Sequence, residues 1–308
     1  MEQYLQQFLN SLASERGYSE NTIAAYRNDL TQFARFLSEQ CGGAVEPGEV
    51  TPEMVQAYVE KIQQPEGGYA PLGGYAPSTV ARKIAAVKSF FHALMEQGLI
   101  PTNPATNLSS PKIKKSAPKT ISKDELERLL AAPRAGSSPK HLRDSALLEL
   151  LAATGMRVTE VTNLRLEDMD WEKAEVVCRG KEEKNRRIPM GAARAALETY
   201  LHTARPALVS DTSPDIFFLN HRGRKLTRQG VWLIIKEAAE AAGIGTEVTP
   251  HTLRHSFAKS LVGTGESLRR VQELLGHANL STTQVYKRMS ETPAAPVAEP
   301  VPVNPDEG

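Results

Sequence analysis

Residues 109–120, SSPKIKKSAPKT, hold two prolines, four lysines, no acid and a single large apolar side chain. Such a stretch has almost nothing to bury, and its prolines interrupt helix and sheet alike, so it reads as an interdomain linker. It therefore divides the 308 residues into two folding units, before and after it, each long enough for its own core. The linker's positive charge would suit a strand of DNA passing beneath it.

Residues 1–108 read as a small four-helix domain. Leu5, Phe8, Leu9 and Leu12 fall at helical spacing, as do Ile23, Tyr26, Leu30, Phe33 and Leu37 after the turn at Gly17. Thr51-Pro52 has the form of an N-cap with proline at the first helical position, ahead of the stripe Met54, Val55, Tyr58, Val59 and Ile62. A fourth helix after Ser78 carries Val80, Ile84, Val87, Phe91 and Leu94 and ends near Gly98. Between the third and fourth helices, GGYAPLGGYAPS repeats Gly-Gly-Tyr-Ala-Pro and is expected to be a loop, with Tyr69 and Tyr75 on it.

Residues 121–288 read as mixed. Ser122-x-x-Glu125 is a capping box at a helix start. Leu147, Leu148, Leu150 and Leu151 make a buried helix that stops at Gly155. Residues 174–178 and 186–190 are expected as two short strands around a polar turn at Lys181–Asn185, with Ile216–Leu219 a third extended piece. Helices are expected at Gln229–Ala242, Thr252–Val262 and Ser267–Leu275, and again around Tyr286. The segment 289–308 is acidic and rich in Pro, Ala and Val, a composition expected to be disordered when free. The fold class is thus mainly α with a small β-sheet.

Net charge is +1, but residues 112–288 carry a net of +9 between flanks of −4 each, which is compatible with phosphate contact. No apolar run approaches the ~20 residues of a membrane span, and MEQYLQQFLN has no basic leader region, so neither a membrane nor a secretory route is expected. Cys41 and Cys178 have no CxxC spacing and are expected to be free thiols in a reducing cytoplasm. There is no GxxxxGK[ST] loop and no cluster of carboxylates spaced for two metals, so no cofactor and no metal is expected.

Four short patterns carry chemistry. In Ala153-Thr154-Gly155-Met156-Arg157-Val158-Thr159-Glu160, Gly155 ends one helix and Arg157 opens the next, where a guanidinium adds a bidentate grip to an anion-attracting helix start. In Thr249-Pro250-His251-Thr252-Leu253-Arg254-His255, His251 and Arg254 share a face of the first turn, while Leu253, Phe257 and Leu261 take the opposite, buried side. In Leu274-Leu275-Gly276-His277, Gly276 is a left-handed C-cap followed directly by a histidine. The last, Ser281-Thr282-Thr283-Gln284-Val285-Tyr286, ends in a tyrosine whose phenol, with an ordinary pKa near ~10, needs a base or cationic surroundings to act as a nucleophile.

The ordered series ATGMRVTE, HTLRHSFA, LLGH and TTQVY resembles the signature of the tyrosine recombinase, or lambda-integrase-like, family, closest in style to the Xer recombinases. YLQQFLNSLASERGYSENTIAAYRNDLTQFARFL and STVARKIAAVKSFFHALMEQGLIPTNPA resemble the family's helical, SAM-like core-binding domain, so the resemblance spans nearly the whole chain. It implies a core-binding domain at 1–108, a linker at 109–120 and an α+β catalytic domain at 121–288. It places the phosphate-binding arginines at Arg157 and Arg254, the two histidines at His251 and His277 and the nucleophile at Tyr286. Gly180-Lys181-Glu182-Glu183-Lys184 matches the family's hairpin lysine, which implies Lys181, with Lys184 the alternative in the same turn. The implied reaction is cleavage and rejoining of DNA through a 3′-phosphotyrosine and a Holliday junction, with His251 the proton acceptor and Lys181 protonating the leaving 5′-oxygen. The implied partners are a double-stranded recombination site, a homotetramer or a heterotetramer with a related recombinase, and a DNA translocase. Chromosome or plasmid dimer resolution is the role implied by the Xer likeness. The tail at 289–308 is unlike the usual Xer ending and leaves integration of a mobile element as the alternative. A relaxing type IB topoisomerase and an architectural DNA-binding protein are the competing classes. The helical first domain and compact length speak against the former, the intact residue set against the latter.

Overall fold

A computed structural model describes residues 1–14, 18, 20–64, 74–111, 118–180, 185–276 and 285–286. The chain divides into two compact units, Met1–Lys115 and Ser116–Gly308. Among the described residues, no helix is long and apolar enough to cross a membrane.

The first unit holds α1 (Glu2–Ser14), α2 (Glu20–Cys41), α3 (Pro52–Gln63) and α4 (Pro77–Glu96). The apolar stripes meet in one core: Leu9, Leu12, Leu30, Phe33, Leu37, Val55, Tyr58, Ile62, Ile84, Val87 and Phe91 are all buried. Ile23 and Tyr26 pack only partly against it, because α2 begins at the edge of the core and dives inward from Leu30. Phe33 sits edge-on to both Tyr58 and Phe91, with ring centroids 5.0 and 5.9 Å away, an arrangement that aromatic quadrupoles favour. Thr51 caps α3 as its spacing predicts, its hydroxyl accepting from the Met54 amide. Helix α4 starts one residue earlier than Ser78 suggests, because Pro77 takes the first-turn position that lacks a hydrogen-bond obligation. Tyr69 lies outside the described residues. Tyr75 turns inward rather than into solvent: its hydroxyl accepts from Gln32 Nε2 at 3.1 Å, and Lys83 Nζ lies 4.7 Å from its ring centre.

One polar pair is sealed inside this core. Lys83, 5% exposed, donates to Asp29, 1% exposed, at 2.9 Å and to Gln32 at 2.6 Å. Arg82 also pairs with Asp29.

The second unit is built around α6 (Pro139–Thr154), flanked by α5 (Lys123–Ala131), α7 (Val158–Thr162), α8 (Arg194–Thr199), α9 (Arg228–Ala241), α10 (Pro250–Gly263) and α11 (Leu268–Leu275). Every residue of α6 from Arg143 to Leu151 is buried, so this helix is enclosed rather than amphipathic. The capping box at Ser122 and Glu125 forms, each side chain taking the other's backbone amide.

Three short antiparallel strands run in the order β1 (Met169–Asp170), β2 (Glu175–Cys178), β3 (Arg186–Pro189), with Val176 opposite Ile188 and Cys178 opposite Arg186. Val176, Cys178 and Ile188 point inward. Burial pushes the Cys178 thiol up to about 12, so it is an inert core group, while Cys41 is free and exposed.

Met169–Asp170 is the sheet's third strand. Ile216–Leu219 is extended, as expected, but lies outside that sheet: it is held by isolated antiparallel bridges from Ile216 to Arg165 and from Leu219 to Lys225, and is fully buried at Phe217, Phe218 and Leu219. Phe217 N donates to Leu164 O at 2.7 Å, and the Tyr200 hydroxyl bridges Phe217 O and Leu219 N at 3.1 Å each.

The buried Asp29–Lys83 pair gives a local prediction. Asp29→Ala leaves a desolvated ammonium without its carboxylate and should cost about 3–5 kcal/mol, whereas Asp29→Leu with Lys83→Met should cost markedly less. Hydrogen exchange on the full chain should show the loss of protection in α2 and α4. Unchanged protection in Asp29→Ala would contradict this account of the core.

Candidate active site

Two helix ends create the site. The last carbonyls of an α-helix have no partner within it and carry the negative end of its dipole. Helix α6 ends at Gly155, in the left-handed conformation at φ 59°, and α11 ends at Gly276, also left-handed at φ 63°. At both positions the backbone conformation excludes ordinary side chains. At Gly155 space excludes them too, since a Cβ there would lie 2.5 Å from Phe257 Cδ1, while one on Gly276 would press on the Arg186 guanidinium at 3.0 Å and push it aside.

Three guanidinium groups take the orphan carbonyls. Arg254 donates to Gly155 O at 2.6 Å and to Leu275 O at 2.5 Å, tying the two helix ends together. Arg157 donates to Gly276 O at 2.7 Å. Arg186, from β3, donates through Nε to Leu274 O at 2.7 Å. The face that spacing gives to His251 and Arg254 is therefore split in depth: His251 is exposed, while Arg254 is 5% exposed and sits between backbone carbonyls.

Glu160 is the acid of this cluster. Its carboxylate accepts from the Arg157 backbone amide at 2.7 Å, from the Arg157 guanidinium at 3.0 Å and from both terminal nitrogens of Arg186 at 2.8 Å. Burial alone would raise its pKa, but the hydrogen bonds and charge of Arg186, with those of Arg157, outweigh burial and hold it below the ordinary carboxylate value. Burial, with the positive charge of Arg157 adding to it, brings Arg254 down to about 10, which still leaves it charged at neutral pH. Within this cluster three guanidiniums face one carboxylate, so two positive charges remain to attract an anion.

Tyr286 borders this cluster and packs against α10 and α11. It is 2% exposed and packs on Ala258, Val271 and Leu275, with Phe257, Leu261 and Val262 around them. Its hydroxyl lies 2.6 Å from Nδ1 of His255, and the ring of His251 stacks 6.3 Å from that of His255. Burial raises the phenol's pKa and Arg254 pulls against it, so the phenol is protonated at neutral pH.

Of the residues singled out by sequence, Arg157 and Arg254 meet at the ends of α6 and α11, Tyr286 packs against α10 and α11, and His251 stands exposed in the first turn of α10, beside His255. Lys181 and His277 lie outside the described residues. Their anchors are within them: Gly180 N donates to Asn185 Oδ1 at 3.3 Å across the base of the β2–β3 turn, and Gly276, which precedes His277, receives Arg157. Three residues were not singled out: Glu160, Arg186 and His255. Glu160 had a visible signal, since Arg157-x-x-Glu160 has the spacing of a helix-start reciprocal cap. His255 had a weaker one, standing four residues after His251 on the same helical face. Arg186 had none beyond its place at the start of a strand.

The chain matches the phage integrase family model over residues 119–292 and the phage integrase N-terminal SAM-like domain over residues 5–98. It is 46% identical to tyrosine recombinase XerC of Herpetosiphon aurantiacus, over 94% of this chain and 92% of that protein. It is 41% identical to tyrosine recombinase XerD of Listeria monocytogenes, over 94% of this chain and 95% of that protein. The crystal structure of the XerH site-specific recombinase, in its post-cleavage complex with a palindromic difH substrate, shares the fold. Its TM-score is 0.71 at 23% identity, covering 93% of this chain and 82% of that one. With these matches added to the helical first unit, the α+β second unit and the arginine cluster, the chain belongs to the phage integrase family and is an Xer-like tyrosine recombinase, an enzyme of site-specific DNA cleavage and rejoining.

Proposed function

We propose that the chain recombines DNA by forming a covalent 3′-phosphotyrosine at Tyr286. The observation that carries the reading is Arg254, buried near Tyr286 and hydrogen-bonded to the neutral carbonyls of Gly155 and Leu275, with Arg157 added at the same helix ends. Arg157 and Arg254 bind the non-bridging oxygens of one scissile phosphate and stabilise the charge that grows as phosphorus becomes five-coordinate. His277 adds a hydrogen bond to the same group. The Tyr286 oxygen attacks in line, and its proton passes to α10, where the family likeness implies His251 as the acceptor. Lys181 protonates the departing 5′-oxygen. A 5′-hydroxyl from a second duplex then attacks the phosphotyrosine and releases Tyr286. The ester stores the energy of the broken bond, so the cycle consumes no nucleotide.

The partner is a double-stranded recombination site. Four protomers, identical or paired with a related recombinase, act through a Holliday junction in the cytoplasm, and a DNA translocase is a fitting regulator. Residues 1–108 are the core-binding domain, 109–120 the linker, 121–288 the catalytic domain and 289–308 a separate acidic tail. The Xer relatives support resolution of chromosome or plasmid dimers over integration of a mobile element.

A nicked suicide substrate tests this. The wild type should give an SDS-stable protein–DNA adduct without added magnesium, and Tyr286→Phe should give none while still shifting the DNA on a native gel. An adduct formed by Tyr286→Phe, or relaxation of plasmids lacking any recombination site, would contradict the reading.

The Glu160 clamp adds a second prediction. Glu160→Gln should lower stability by about 1–3 kcal/mol and slow cleavage more than it weakens DNA binding, because Arg157 and Arg186 lose their shared acceptor. Since the folded-state pKa of Glu160 is depressed, its contribution is complete above the unfolded value of about 4.3 and disappears as pH falls through the lower folded value. The stability gap between wild type and Glu160→Gln should therefore be full at pH 7 and close in strong acid, as followed by urea unfolding. A gap independent of pH would contradict the ionised clamp.

A further inference from the structure

A phenol that must attack phosphorus needs a proton acceptor at its oxygen, and the family motifs do not name the residue found there. That residue is His255, one helical turn after His251 on α10. Its Nδ1 stands 2.6 Å from the Tyr286 oxygen, hydrogen-bond distance for a hydroxyl and a ring nitrogen. The rings are tilted by 46° with centroids 5.6 Å apart, so the contact is through the edge of the imidazole rather than by stacking. His255 is half-buried, and Tyr286 is held against Ala258, Val271 and Leu275 at 2% exposure, which leaves little access for bulk water as a base. The ionic setting agrees. Burial, then the neighbouring His251 and Arg254, keep the His255 pKa below its ordinary value, so the imidazole is neutral and carries a free lone pair at neutral pH.

We propose that His255 is a further catalytic residue of this site: it holds the Tyr286 phenol and accepts its proton as the phenol oxygen attacks the scissile phosphate. The proposal rests on Tyr286 being the nucleophile. In the cleavage step the O–H bond of Tyr286 breaks and its proton passes to Nδ1 of His255. The phenol oxygen bonds to phosphorus, and the bond from phosphorus to the 5′-oxygen breaks, that oxygen receiving a proton from the general acid on the far side. In the rejoining step the 5′-hydroxyl returns its proton to the general acid as it attacks, and the departing phenolate recovers the proton from the His255 imidazolium. Charge and protons balance over the cycle, and no co-reactant is required.

The test compares full-length wild type, His255→Phe and His255→Asn on a nicked suicide substrate, and on the same substrate with sulfur in place of the bridging 5′-oxygen. His255→Phe fills the space without an acceptor. His255→Asn can hold the phenol but is not basic. Each should shift DNA on a native gel as the wild type does, which shows that it is folded, and each should form adduct about 100-fold or more slowly, the usual contribution of a general base. A thiolate leaves without a proton, so the sulfur substrate should restore cleavage by Lys181→Ala and leave both His255 variants slow. Wild-type rates in His255→Asn, or rescue of His255→Phe by the sulfur substrate, would overturn the proposal while leaving Tyr286 as nucleophile. Absence of any adduct from the wild type would overturn both.

Discussion

The site depends on arginine side chains completing two helices that end without partners of their own. At the end of α6 and the end of α11, backbone carbonyls point into a partly dry interior, where an unsatisfied acceptor is costly. Arg254 satisfies one from each helix, Arg157 and Arg186 take two more at the end of α11, and the four segments α6–α7, α10, α11 and β3 are thereby fixed to one another. Neutral carbonyls satisfy the N–H groups of Arg254 without cancelling its charge. Glu160 neutralises only part of the remainder, so an anion-binding charge is built into the same bonds that hold the structure together.

This arrangement explains the two glycines. Gly155 and Gly276 supply the left-handed turns that close α6 and α11, and their bare backbones allow Phe257, Leu275 and Arg186 to pack directly against them. Phe257 also borders the pocket of Tyr286. The turn that presents Arg157, the helix that carries Arg254 and His255, and the wall behind the nucleophile are thus parts of one packing unit. The enclosed α6 makes that unit stiff: a helix buried from Arg143 to Leu151 cannot tilt without opening the core.

Local chemistry was readable in the sequence wherever it acts over a few residues. The caps at Thr51, Ser122 and Thr249, the left-handed stops at Gly155 and Gly276, and the core stripes of α1 to α4 all form as the spacing requires. What escaped is set by long-range packing. The depth of Arg254 cannot be read from a helical wheel, because one of its acceptors comes from Gly155 and the other from Leu275, on different helices. Likewise, nothing within HTLRHSFA distinguishes His255 from His251 as the neighbour of a tyrosine on another segment. Ile216–Leu219 is extended as its apolar run suggests, but its partners, Arg165 and Lys225, could not be read from it, and neither could the two-residue strand Met169–Asp170, which is too short to show alternation.

The central claim is a chemical bond between one phenol oxygen and a DNA strand end. Trapping the adduct on a suicide substrate, digesting both protein and DNA, and locating the residual nucleotide by mass spectrometry tests it directly. The nucleotide should be found on the peptide containing Tyr286, attached through its 3′-phosphate. A nucleotide on any other residue, or one joined through its 5′-phosphate, would contradict the account.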